Sequence, residues 1–254
     1  MAKNLKTALV TGGARRIGKA IVGDLSAAGF AVAIHYHGSD AEALELVKNL
    51  KDRGGKVAIV RADLTDIRAV EGLLNDAASA IGPIGLLVNN ASVFEPDELD
   101  DFTWEHWDRH FAVHLKAPVE LSRRFAEALP KGEDGLIVNM IDQRVWKLSP
   151  RTFSYTLSKS ALWTATQTMA QALAPRIRVN AIGPGPSLQG ERQSKADFDA
   201  QVEAVLLRRG PELSEFGATI RYLWDTPSIT GQMIALDGGQ HLGWQTPDVT
   251  GIRE

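Results

Sequence analysis

The sequence predicts a doubly wound parallel α/β sheet of seven strands flanked by helices. Three observations lead there. Short continuous apolar runs alternate seven times with longer helical patterns. A glycine cluster follows the first run at once and opens the first helix. No polar linker divides the 254 residues, so the chain reads as one domain over 1–254. A β/α barrel also alternates, but it ordinarily uses eight units and lacks an early glycine fingerprint.

The predicted strands are Thr7–Val10, Ala31–Ile34, Val57–Val60, Leu86–Val88, Leu136–Asn139, Val179–Ile182 and Met233–Leu236. They are too short and too continuous for amphipathic helices and fit strands covered on both faces. The predicted helices are Ile17–Ala28, Ala41–Arg53, Ile67–Ala80, Trp104–Ala128, Phe153–Leu173, Lys195–Arg209 and Glu212–Leu223. Asp40 is the expected cap of the second, and Thr65 or Asp66 of the third. The alanine-rich stretch from Ser160 to Pro175 reads as a buried helix of a soluble protein. Gly183–Asp197 breaks the pattern: it is rich in Gly, Pro and Ser, then turns charged. It reads as a loop over a site, so a substrate loop and helix are expected around 185–209.

Composition removes several function classes. The 28 basic and 31 acidic residues leave a net charge of -3, which disfavours a general nucleic-acid binder. The absence of cysteine excludes a disulfide framework, a thiolate metal site and a thiol nucleophile. It fits a reducing cytosol, and a cytoplasmic location is expected. No run approaches the roughly 18 apolar residues of a membrane span. The N-terminus has no signal-peptide pattern. The histidines have no carboxylate at ligand spacing, so no metal is expected.

The first glycine cluster, Thr11-Gly12-Gly13-Ala14-Arg15-Arg16-Ile17-Gly18, is a candidate phosphate site. Gly12 permits a tight turn and Gly18 a close approach, while the helix start offers N–H groups to a diphosphate. The spacing departs from GxGxxG, so a purely structural turn stays open. The second strand ends Ile34-His35-Tyr36-His37-Gly38-Ser39, without the carboxylate that binds an NAD ribose until Asp40. Arg16, His37 and Ser39 are expected to surround a 2′-phosphate instead, which favours NADPH over NADH. Asp63, before Leu64, is placed either to meet the adenine amine or to cap the next helix. Asn90-Ala91-Ser92 after the fourth strand is either a cofactor contact or a turn.

Tyr155 and Lys159 lie four residues apart on one helix and therefore share a face. A phenol can protonate a carbonyl or imine as hydride arrives, and a nearby ammonium stabilises the phenolate. Asp142, thirteen residues before Tyr155, is placed to orient it, to hold substrate or to relay protons; it is otherwise a turn residue.

Taken in order, Thr11-Gly12…Ile17-Gly18, Asn89-Asn90-Ala91, Tyr155…Lys159, Arg178-Val179-Asn180, Pro184-Gly185, Ile229-Thr230-Gly231 and Asp237-Gly238-Gly239 resemble the short-chain dehydrogenases/reductases over nearly the whole chain. The resemblance implies a Rossmann-type domain, NAD(P) binding and a homotetramer. Tyr155 would then be the proton donor and Lys159 the ribose holder. Asn180, Pro184 and Gly185 would shape the nicotinamide side, with Ile182 nearby. Two positions depart from the family: Asp142 where serine is usual, and His114 where a relay-supporting asparagine is usual. His114 is therefore a candidate relay residue.

Asp142, Tyr155 and Lys159, with Arg15-Arg16-Ile17-Gly18, His35-Tyr36-His37 and Asn90-Ala91-Ser92-Val93-Phe94, resemble the pteridine reductase and dihydromonapterin reductase subgroup. That resemblance implies NADPH-dependent hydride transfer to a C=N bond of a dihydropterin or dihydrofolate. Phe94 would stack one face of the pterin, and Ser92 would lie between cofactor phosphate and substrate. Gly185, Pro186, Ser187, Leu188, Gln189 and Arg192 would border the substrate. Trp146 would cover the same opening or serve an interface. The alternative is a carbonyl or enoyl reductase acting on another small molecule. A non-catalytic nucleotide-binding protein is disfavoured by the intact Tyr155–Lys159 pair.

Overall fold

The computed structural model describes residues 5–190 and 193–251. Its seven strands are β1 (Thr7–Val10), β2 (Ala31–Tyr36), β3 (Val57–Arg61), β4 (Leu86–Asn89), β5 (Gly135–Met140), β6 (Ile177–Pro184) and β7 (Met233–Leu236). They form one parallel sheet in the order β3-β2-β1-β4-β5-β6-β7. The order reverses between β1 and β4, which opens a crevice at the strands' C-terminal ends.

Both faces of the sheet are covered. Ala8, Val10, Val32, Ile34, Leu86, Val88, Leu136 and Val138 pack into one core with α1 (Arg16–Ala27), α2 (Asp40–Asp52) and α8 (Leu213–Asp225). The alternate residues Leu9, Ala33, Leu87 and Ile137 pack into a second core with α3 (Ile67–Ile81), α5 (Ala117–Ala128) and α6 (Phe153–Leu173). Two buried faces explain why the strands read as unbroken apolar runs. Register also sets the site: Val10 pairs Val88, and Val88 pairs Val138. The chain therefore leaves β1, β4 and β5 at one level, bringing the segments at Gly12, Asn90 and Asp142 together.

Several expected boundaries change. The helix expected at Trp104–Ala128 is divided into α4 (Trp104–Phe111), a π-helical segment (Ala112–Lys116) and α5. Such bulges gather at functional sites, and His114 lies in this one. The helix expected at Lys195–Arg209 stops early, as α7 (Lys195–Glu203). β2 runs on to Tyr36 and β6 to Pro184, because both remain paired there. Asp40 does not cap α2; it lies within the first turn, behind Ser39. Asp66 is the cap of α3, accepting from the Arg68 N–H. No described helix is long and apolar enough to cross a membrane.

Candidate active site

The crevice contains a cavity of about 1150 Å³, running from His37, Ser39 and Asp63 past Gly12 and Asn90 to Asp142, Tyr155 and Lys159. Its length of lining suits a dinucleotide together with a ring-sized substrate. The glycine turn forms one wall. Gly12 has φ +60, and a Cβ on Gly18 would sit 2.2 Å from the Gly12 carbonyl oxygen, so a side chain there is impossible without movement. The Asn90 amide donates to the carbonyls of Thr11 and Gly12 at 2.8 and 3.2 Å. The Thr11 hydroxyl accepts the N–H groups of Asn90 and Ala91. Asn90 therefore spends its side chain on the turn itself. α1 starts with no side-chain cap and no acidic residue in its first turn, so its N–H groups suit an anionic diphosphate.

His35, read from sequence only as a polar residue near a strand end, also holds this turn. Its Nδ1 accepts the Gly12 N–H at 3.1 Å and its Nε2–H donates to the Ala62 carbonyl at 3.1 Å. Burial lowers its pKa to about 4, so the ring is neutral. Only the tertiary fold shows that this strand residue reaches back to the turn.

The two arginines part company. Arg15 lies 3.8 Å from Glu42 of α2, on the side of His37 and Ser39. Arg16 instead reaches across the cavity to the Leu188 and Gln189 carbonyls. Arg15, Arg16, His37 and Ser39 all line the same cavity. Asp63 accepts from the N–H and hydroxyl of Thr65 and lies 3.8 Å from His37. It makes a local turn ahead of α3 rather than capping the helix. Ile17, Leu64, Ala91, Ser92, Pro184, Gly185, Ser187 and Leu188 all line the cavity.

At the other end, Asp142 leaves β5 and caps a short 3-10 turn (Gln143–Val145) by accepting the Arg144 N–H. Its second carboxylate oxygen accepts from the Tyr155 hydroxyl at 3.1 Å and from Arg144 Nη1 at 2.7 Å. Arg144, not singled out in the sequence, thus pairs with Asp142, and it sits 6.0 Å from the Phe94 ring centre. Burial, then the Asp142 charge, holds the Tyr155 pKa well above its ordinary value; Arg144 opposes them. Lys159 is buried, donates to the Met140 carbonyl at 2.9 Å and lies 5.8 Å from the Tyr155 ring centre. Burial lowers its pKa to about 8. Phe94 is half-exposed and packs edge-on against Tyr155 at 5.0 Å.

His114 is fully buried. Its Nε2 accepts the Val93 N–H at 3.1 Å and the Ser92 hydroxyl at 3.0 Å, and its Nδ1–H donates to Ser158 at 2.8 Å. Ser158 passes its own proton to the Tyr155 main-chain carbonyl, where the chain of donors ends. Burial pushes the His114 pKa well below the histidine range. The Ser92 hydroxyl also hydrogen-bonds Tyr155 and works to lower its pKa, so His114 is joined to the tyrosine through Ser92 as well as through Ser158.

Other expected neighbours lie elsewhere. Asn180 is buried beyond the cavity, donating to the Ile229 carbonyl and accepting the Gln232 N–H. Ile182 belongs to the first core, because its side chain points between sheet and helices. Trp146 packs on Trp163 and His241 and is not part of the cavity wall. Pro186, Ser187 and Leu188 border the cavity, while Gln189 contributes its carbonyl to Arg16 and is not part of the wall. Arg192 lies outside the described residues.

Comparison with known proteins agrees with this architecture. Residues 6–197 match the family model for short chain dehydrogenases. The chain is 58% identical to the FolM alternative dihydrofolate reductase 1 of Brucella canis, solved with NADP, with a TM-score of 0.95 over 98% of this chain and 100% of that one. It is 60% identical to the Brucella suis protein of the same name, also solved with NADP, at the same TM-score and coverage. An uncharacterized oxidoreductase of Methylorubrum extorquens is 31% identical, over 92% of this chain and 97% of its own length.

Proposed function

The chain belongs to the short-chain dehydrogenase family, and we propose that it reduces a C=N bond of a pterin-like substrate with NADPH, as a dihydropterin or dihydrofolate reductase. The observation that carries this reading is the Asp142 carboxylate bonded to the Tyr155 hydroxyl beside Phe94, at the end of a cavity that begins with a glycine turn.

NADPH supplies the hydride for the imine carbon. The chain's own residues bind and orient the two partners and deliver the proton. The uncapped start of α1 and the Gly12–Gly18 turn hold the diphosphate. Arg15, Arg16, His37 and Ser39 line the cavity and would hold the cofactor's phosphates, with Arg16 also bonded to the 188–189 carbonyls. Tyr155 keeps its proton at neutral pH and gives it to the imine nitrogen directly or through water ordered by Asp142. The Lys159 ammonium and the Arg144 guanidinium stabilise the phenolate as that proton leaves. The exposed face of Phe94 aligns the substrate ring, with Ser92, Gly185 and Leu188 closing its edges.

The same reading takes the chain as one cytoplasmic domain, with its substrate segment around 185–209, assembled as a homotetramer through α4–α5 and α6. NADPH oxidation in the presence of dihydrobiopterin, dihydromonapterin or dihydrofolate tests the activity. Turnover of at least one is expected. Turnover of none of them, together with reduction of a ketone, overturns it. Light scattering on the purified protein tests the tetramer.

A further inference from the structure

The loop that leaves β4 carries Ser92 and Phe94 but has no regular secondary structure. A loop in that state fixes a stacking face only if its backbone is tied elsewhere. Two histidines one helical step apart tie it. The Val93 N–H donates to Nε2 of His114 at 3.1 Å, and the Glu95 N–H donates to Nε2 of His110 at 3.1 Å. The flanked residue, between these two N–H groups, is Phe94.

The far sides of the rings repeat the arrangement. Nδ1 of His110 meets the Ser154 hydroxyl at 2.7 Å, and Nδ1 of His114 meets the Ser158 hydroxyl at 2.8 Å. The two serines are themselves one step apart on α6. Each Nε2 accepts a main-chain N–H, so each Nδ1 carries the ring proton and donates to its serine. The Ser154 hydroxyl donates to the Asp97 carboxylate, and Ser158 donates to the Tyr155 carbonyl. The main-chain, ring and α6 serine protons of both rungs therefore run in one direction, with the Ser92 hydroxyl as a further neighbour of His114 Nε2, and both rings must be neutral to hold the loop. The rings lie parallel, 5.5 Å apart, and each meets the Tyr155 ring edge-on, at 5.8 and 5.2 Å. The residues that fix the loop thus also back the proton donor.

We propose that His110 and His114 are positioning residues: a two-rung clamp of neutral imidazoles that fixes the Phe94 face and Tyr155 relative to one another, so that a planar substrate ring meets donor and stacking face together. The π-helical segment between α4 and α5 holds His114, and His110 stands just before it. The proposal deepens the pterin-reductase reading and rests on it for its substrate.

Position 110 allows the loop contact and the helix contact to be separated. Glutamine places its amide near the histidine Nε2 site, and asparagine near the Nδ1 site. His110→Gln therefore keeps an acceptor for the Glu95 N–H, whereas His110→Asn keeps a donor to Ser154 and releases the loop. His110→Asn is expected to raise KM for the dihydropterin about fivefold to tenfold, the effect of one lost buried hydrogen bond, with kcat changed less and NADPH affinity unchanged. His110→Gln is expected to restore KM. Equal loss in both variants, or loss confined to His110→Gln, overturns the clamp. Amide hydrogen exchange on the unaltered chain needs no variant to fold: Val93 and Glu95 are expected to exchange slowly despite lying in a loop. Fast exchange at both also overturns the clamp. If the chain reduces no dihydropterin, the substrate reading fails, and the exchange result still decides whether the loop is clamped.

Discussion

The two ends of the cavity are built from different materials. At the nucleotide end, backbone dominates: a glycine turn, an uncapped helix start, carbonyls held by Asn90 and the Gly12 N–H held by His35. At the substrate end, side chains from four separated segments converge: Phe94, His114, the Asp142–Arg144 pair and Tyr155 with Lys159. A backbone site binds what every NADPH enzyme binds, and tolerates little change because the main chain itself is the ligand-binding surface. A side-chain site can be respecified one residue at a time, which suits the half of the cavity that must choose a substrate.

That contrast can be tested, from the strongest expected effect downward. Tyr155→Phe removes the donor and should lower kcat about a thousandfold, with NADPH affinity retained in a fluorescence titration. A loss of both together would mean that the two ends are not separable. Gly18→Ala forces a methyl group against the Gly12 carbonyl. The overpacking should weaken NADPH binding about a hundredfold, read by the same titration after circular dichroism has checked the fold. Lys159, with its pKa lowered to about 8 by burial, is charged below that value and neutral above it. The free-enzyme profile of kcat/KM should therefore fall on its alkaline side from about pH 8, by up to about tenfold per unit. A profile flat to the tyrosine range would remove Lys159 from the proton step. Arg144→Met leaves Asp142 without its cation and should cost about fivefold in kcat/KM. An unchanged kcat/KM would make Arg144 a bystander.

Legibility followed the same division. Gly12, Gly18, Tyr155 and Lys159 are local patterns, read from spacing along one strand–turn–helix or one helix face. The alternation of apolar runs gave the sheet, because strands buried on both faces have no polar side to hide. What failed was local in a different way. Asn180 and Ile182 sit near the nicotinamide turn in sequence, yet their strand points them into a β6–β7 brace and a core. Arg15 and Arg16 are neighbours in sequence, but Arg15 meets Glu42 while Arg16, at a φ of 51, meets the Leu188 and Gln189 carbonyls. His110 carried no signal because its partner Ser154 lies 44 residues away in sequence, and Arg144 because its pairing with Asp142, two residues before it, follows from a turn shape that no motif marks.

The sequence alone determined the fold class, the glycine turn after the first strand and the shared helix face of Tyr155 and Lys159, while Asp142 joined them through the family resemblance. These depend on periodicity, on glycine stereochemistry and on spacings along single elements, all of which are properties of short stretches of chain. Only the tertiary structure decided that Arg16 meets the 188–189 carbonyls, that His114 is locked between Val93 and Ser158, and that His110 and Arg144 belong to the site. Those outcomes depend on the level at which β1, β4 and β5 release the chain and on how α4 lies against α6. Hydrogen bonds between groups far apart in sequence are chosen by packing, and packing is not written in any one segment.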